Sequence, residues 1–140
     1  MSIQIKRHRT WRADLCAYLD RVSRVSFRPG NHDCALFAAG AVKAMTGVDL
    51  SQKYVGEYRS ISEGMALIRA EGFESLASLV AHSFEEVPPL MASVGDLALV
   101  EGEDGQEALG VVQGPSIYVL RLDGIGRVPL EHGVRAWRVQ

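Results

Sequence analysis

The chain is poor in the residues that mark the most specialised protein classes. It has two cysteines and four histidines among its 140 residues, and their spacing matches no zinc-ligand pattern, so no metal site is expected. Cys16 and Cys34 could form one bridge at most, and a core of this size does not need it, so free thiols are expected. Long hydrophobic runs are missing too. The longest, around Ala35 to Val42 and Leu97 to Val100, are far shorter than a bilayer crossing requires, which argues against a membrane span. Lys6, Arg7 and Arg9 make the start basic, but no apolar run or small-residue cleavage site follows. No secretory signal is therefore read, and synthesis in the cytoplasm is expected. Nor is there an excess of one charge. A net charge of −2 and a pI near 6.1 argue against nucleic acid as a partner of the chain as a whole. Gly124-Ile125-Gly126 does not lead from a strand into a helix, so it is not a phosphate-binding loop, and no cofactor is expected.

What is present fits one ordinary folded domain over residues 1–140. Hydrophobic residues make up 47% and charged residues 23%, enough for one core and too few residues for two domains. Trp11, Leu15, Tyr18, Leu19, Val22 and Val25 recur at helical spacing, which predicts an amphipathic helix over 10–25 with Thr10 as its cap. Cys16 falls beside that stripe and reads as a small buried thiol. Arg9, Arg12, Arg21 and Arg24 fall on the other side, as a solvated face or a docking surface for an acidic partner. After the breaker Arg28-Pro29-Gly30-Asn31, Asp33 can cap a second helix running from Cys34 to about Met45. That helix is apolar almost all round and belongs in the centre of the domain. Two shorter helices are predicted from Ser62 to about Ala70 and from Ser75 to about His82.

Beyond Val87-Pro88-Pro89 the pattern changes to glycine-punctuated runs of valine and leucine. About five antiparallel strands are predicted, near 96–100, 109–113, 116–122, 127–129 and 135–139. A helical part over about 10–86 thus precedes a sheet part over about 94–140, the order of a segregated α+β fold. Glu101, Glu103, Asp104 and Glu107 crowd one hairpin and read as a solvated turn.

Cys34 is the residue with most chemical promise. At the first turn of a helix, unpaired N–H groups and the positive end of the dipole favour thiolate. A nucleophilic cysteine also needs a base in hydrogen-bond reach, usually histidine, and a polar group to orient it. His32-Asp33-Cys34-Ala35-Leu36-Phe37, then Val94-Gly95-Asp96-Leu97-Ala98-Leu99-Val100, then Ala108-Leu109-Gly110-Val111-Val112-Gln113-Gly114, resembles the NlpC/P60 branch of papain-like cysteine peptidases. In that family an Asp-Cys pair opens the central helix, a Gly-Asp-Leu segment opens the first strand, and a His-Val-Gly-Ile run forms the next. The resemblance covers about residues 27–115 and implies a buried Cys-bearing helix packed on a small antiparallel sheet. It extends to short proteins of tailed phages and prophages, similar to cell-wall peptidase modules of tail tips.

On this alignment the family's catalytic histidine falls at Ala108, which has no proton-transfer group, so the implied triad is incomplete. A third member would come from the following strand, where Ser116 and Tyr118 stand. His32 and His132 are the candidate substitute bases; His8 and His82 read as surface residues. Asp33 and Asp96 read as structural caps beside the cleft, accepting from nearby backbone N–H groups. Two readings of Cys34 remain: a small buried residue at a crowded helix start, or a nucleophile.

Three functions follow as expectations. The first is a tail-tip structural or adaptor component, a pseudoenzyme made in the host cytoplasm and carried in the virion tail. Its partners would be other tail proteins, met through the basic first helix or the hairpin near Glu103. The second is a cysteine peptidase or amidase acting on peptidoglycan during DNA entry, and the third a cytoplasmic tail-assembly factor.

Overall fold

The computed structural model describes residues 5–102 and 105–140. Glu103 and Asp104, at the hairpin singled out above, lie outside the described residues. Among the described residues the chain forms four α-helices and one six-stranded antiparallel sheet, an α+β architecture. The helices are α1 Trp11–Val22, α2 Cys34–Thr46, α3 Ile61–Ala70 and α4 Leu76–Ala81. The strands are β1 Glu85–Val87, β2 Leu97–Glu101, β3 Glu107–Gln113, β4 Ser116–Arg121, β5 Gly124–Pro129 and β6 Arg135–Arg138. Their order across the sheet is β1-β6-β2-β3-β4-β5. No helix among the described residues is long and apolar enough to cross a membrane.

β1 corrects the expected count of five strands. Glu85-Glu86-Val87 has one apolar residue before two prolines and carries no alternation signal. It becomes a strand by tertiary pairing with β6, in the register Glu85 to Arg138 through Val87 to Ala136. The helical and sheet parts are therefore not fully segregated: a strand from the end of the first closes one edge of the second.

α1 ends at Val22, earlier than the periodicity suggests. Thr10 stands at its N-cap position but makes no capping bond; its hydroxyl donates instead to Asp14 Oδ2 at 2.8 Å. Leu15, Tyr18 and Leu19 are buried against α2, whereas Cys16 is exposed, contrary to the expected burial. One residue further along a helix is about 100° further round, enough to turn Cys16 out of the stripe. α2 is central as expected, with Phe37, Ala41, Val42 and Met45 at 0% exposure. Gly40 lets the Tyr18 ring lie on the helix, since a β-carbon there would overlap the hydroxyl. That hydroxyl donates to the Phe37 carbonyl at 2.9 Å.

Both faces of the sheet are covered. Leu97, Leu99, Leu109, Val111, Trp137 and Val139 pack with α1 and α2. Val87, Ala98, Val100, Val112, Ile117 and Ala136 form a second cluster on the opposite face, closed by Ala92, Ala108, Val128 and Leu130. The short 3-10 turns Pro89–Met91 and Leu130–His132 run beside that second cluster.

Asp96 joins the ends of the chain. Its carboxylate is 1% exposed and accepts from Ser93 N–H at 2.8 Å, Val139 N–H at 3.1 Å and Arg7 Nη2 at 3.1 Å. Arg7 also donates to the Val139 carbonyl at 2.6 Å and lies 4.0 Å over the Trp11 ring. Removing the cation leaves a buried carboxylate short of its partner. Arg7→Met is therefore expected to cost about 3 kcal/mol in urea unfolding, and Arg7→Lys less; an Arg7→Met midpoint equal to that of the native chain would refute this role.

Candidate functional site

Asp33 builds the site. It is 2% exposed and caps α2 from extended backbone, its Oδ1 accepting from Leu36 N–H at 3.0 Å. Its Oδ2 accepts from Gly30 N–H at 3.0 Å and from the Tyr58 hydroxyl. Gly30 has φ +83°, and a β-carbon there would overlap the Tyr58 carbonyl. The Gly30 carbonyl in turn accepts from Gly56 N–H at 2.8 Å. One carboxylate thus clamps the loop before α2, the helix start and the loop carrying Tyr58.

Cys34 follows directly, half-buried. β3 pairs with β4 over Val111–Gln113, and before that stretch the Leu109 backbone N–H donates to the Cys34 sulfur. Burial pushes the thiol up, and the Asp33 charge pushes it the same way, against the N–H groups of Leu109, Ala35 and Cys34 itself. The net direction is upward, which favours the thiol over the thiolate. Tyr58 is also raised, by burial first, then by its bond to Asp33 and the charges of Asp33 and Cys34. It stays a neutral donor.

The expected bases are not brought to the thiol. His32 is half-buried with its ring edge-on to Phe37 at 6.1 Å, and its backbone bridges to Arg28. Burial lowers its imidazole, opposed by Asp33, and Nε2 is buried without a hydrogen-bond partner. No hydrogen bond links it to Cys34, and no imidazole is among the groups that shift the thiol. His132 is exposed in the turn Leu130–His132, whose Leu130 packs against the second cluster, on the opposite face of the sheet from α2. His82 meets the Phe73 ring edge-on at 5.4 Å, beyond the end of α4.

Ala108 requires a correction as well. Its side chain packs with the second cluster, while Leu109 and Val111 pack towards α2. Alternation along a strand makes this unavoidable. The β3 residues beside Cys34 are Glu107 and Leu109, and both line the cleft with it. The base position read from the motif is thus turned away from the sulfur, and the residues that face the site offer a carboxylate and an isobutyl group. Asp96 does not line this cleft and serves Arg7, Ser93 and Val139 instead. Asp33 does serve the site. Sequence reasoning missed Tyr58, which lies in an aperiodic loop, and its bond to Asp33 spans 25 positions, so no local signal marks it.

The cleft itself has a volume of about 1230 Å³. Cys34, Ala35 and Ala39 of α2 form one wall and Ile61, Met65 and Ile68 of α3 the other. Small side chains on α2 keep it open, and the lining is predominantly apolar. Among the described residues no group of three or more His, Cys, Asp or Glu could hold a metal ion.

A family profile described as a domain of unknown function, DUF6950, matches residues 6–139, and the chain belongs to that family. No curated protein matches it.

Two outcomes follow from this geometry. In a Cys16→Ser background, alkylation of Cys34 should be slower than in the denatured chain. Its rate should rise with pH through a midpoint above that of the denatured chain, because the folded state favours the thiol. Mass spectrometry of the alkylated peptide reads the rate; a midpoint below the denatured one would show an activated thiolate instead. Asp33→Ala removes the cap and strands two further donors, and should lower stability by about 3 kcal/mol in denaturant melts. A loss no larger than that of an exposed cap would show that Tyr58 and Gly30 find other acceptors.

Proposed function

We propose that this member of the family is a structural or adaptor component of a phage tail tip. It has an NlpC/P60-type papain-like scaffold and works by contact instead of bond cleavage. The observation that carries the reading is the surroundings of Cys34: a half-buried thiol with neither His32 nor His132 hydrogen-bonded to it, His132 lying in a turn on the opposite face of the sheet from α2. The order of elements, a Cys-bearing central helix followed by an antiparallel sheet, agrees with the resemblance in sequence. The tail assignment rests on that resemblance, since a fold does not fix a function. For partner binding the chain offers the open cleft and the exposed arginines of α1. Arg12 stacks on Trp11 at 4.8 Å and Arg21 on Tyr18 at 5.5 Å, which leaves their charge facing solvent.

A hydrolase acting on peptidoglycan is the second reading, and one observation favours it. The backbone N–H groups of Leu109, Ala35 and Cys34 itself favour the charged form of the sulfur, as donors do beside a reactive thiolate. A base would then have to be Glu107 or come with the substrate.

The two readings separate cleanly. Mass spectrometry of purified particles of the encoding phage or prophage should find this polypeptide, and muropeptides incubated with the pure protein should remain intact. Cys34→Ala should be assembled into particles like the native chain. Absence of the polypeptide from particles overturns the tail-tip component, and muropeptide turnover that vanishes in Cys34→Ala establishes the hydrolase.

A further inference from the structure

Tyr58, which lines the cleft with Cys34, also lines a second concavity, an open pocket of about 480 Å³. Arg28, Asn31, Tyr58 and Arg59 line it together with Pro29 and Gly56. Two arginines and one asparagine are among the lining residues, and no acidic residue is. The ion pairs among the described residues join Arg7 to Asp96, Lys43 to Asp49, Lys53 to Glu71 and Arg135 to Glu86. Arg28 and Arg59 are in none of them.

The acids closest in sequence are committed elsewhere. Glu63 Oε2 accepts from the Arg59 backbone N–H at 2.8 Å, and Asp33 is saturated by Leu36, Gly30 and Tyr58. Glu57 is exposed and lines no part of the pocket. Two like charges carried by residues around one hollow favour an anion between them.

The backbones that carry these arginines are fixed. Arg28 N–H donates to the His32 carbonyl at 2.8 Å, and the Arg28 carbonyl accepts from Asn31 and His32 at 3.0 and 2.8 Å. Arg59 follows Tyr58, which Asp33 holds, and its own N–H is tied to Glu63. A binding site built this way loses little entropy in ordering its main chain.

We infer that this pocket binds a phosphate monoester group. Such a group carries a charge of about −1.5 to −2 at neutral pH, which two guanidiniums balance, whereas a single carboxylate would leave one of them uncompensated. Each guanidinium fork can donate two parallel N–H bonds to phosphate oxygens, and the Asn31 carboxamide adds a neutral donor. The site makes no use of Cys34 and does not depend on the tail-tip reading. The overall charge of −2 does not oppose it, because the field that matters is local.

The test is calorimetric titration of the full chain at low salt with inorganic phosphate, phenyl phosphate and acetate. The variants are Arg28→Ala, Arg59→Ala, Arg28→Lys and, as a control on β5 outside the pocket, Arg127→Ala. Both phosphates should bind saturably, and each alanine in the pocket should weaken them about tenfold, the value of a charge-assisted hydrogen bond. Arg28→Lys should lose part of that, and Arg127→Ala none. Tighter binding of phenyl phosphate than of phosphate assigns the group to a larger phosphorylated molecule; equal binding assigns it to free phosphate. Because Arg28 and Arg59 are exposed and unpaired, the variants should melt like the native chain. The inference is overturned by absence of saturable phosphate binding, by acetate binding as tightly as phosphate, or by Arg127→Ala weakening binding as much as Arg28→Ala.

Discussion

A single buried carboxylate without a cation organises the functional end of this molecule. Asp33 satisfies its oxygens with two backbone N–H groups and one phenol, and each donor comes from a different piece of chain. The Leu36 bond fixes where α2 begins, and so where the sulfur of Cys34 lies. The Gly30 bond folds the preceding loop back, and the Tyr58 bond brings in a loop from beyond the helix. An apolar residue of similar size could fill the space but could not hold three separate donors, so the geometry depends on an acceptor-only group at this point.

The same carboxylate works against catalysis. Burial raises the cost of a charge on Cys34, and the negative charge next to it raises that cost further. The helix start and the three N–H groups lower that cost without reversing the direction. A peptidase overcomes such a balance with an imidazole that takes the proton. Here the sheet's pleat decides whether one could be present. The face of β3 towards α2 shows Glu107, Leu109 and Val111, and the face away from it Ala108, Gly110 and Val112. Even a histidine introduced at Ala108 would point into the second cluster.

Much of this was legible in the residues and some was not. α2 could be read from its cap, its apolar surface and the Gly47 stop, because each is a local signal and all agree. The strands from β2 to β6 could be read for the same reason. The phase of β3 could not. A strand covered on one side shows its inward set by alternation, but Leu109, Val111 and Val112 are all buried, so both sets look like core and the motif alone set the phase. β1 has three residues with one apolar side chain, below what any pattern can detect. Tyr58 and the pairing of Arg28 with Arg59 in one pocket depend on a long loop folding back. Contacts of that kind are made by tertiary structure and leave no trace in spacing.

Stability is distributed unevenly around the two concavities, and this bears on how they can act. α1, α2 and the sheet share one dense core, with Leu15, Phe37, Val42 and Trp137 at 0% exposure. α3 has Ile68 as its buried residue and is tied down through its ends: Ser60 and Glu63 at the start, and Glu71 holding Lys53 and Tyr54 beyond the other. The inner wall of the cleft is therefore rigid and the outer wall rests on polar contacts at the surface, each worth little. Segments anchored in this way open at low cost. Displacing α3 would not stop at the cleft wall, because Gly64 packs on the Tyr58 ring and Glu63 holds the Arg59 N–H, so the outer wall is coupled to Asp33 through Tyr58.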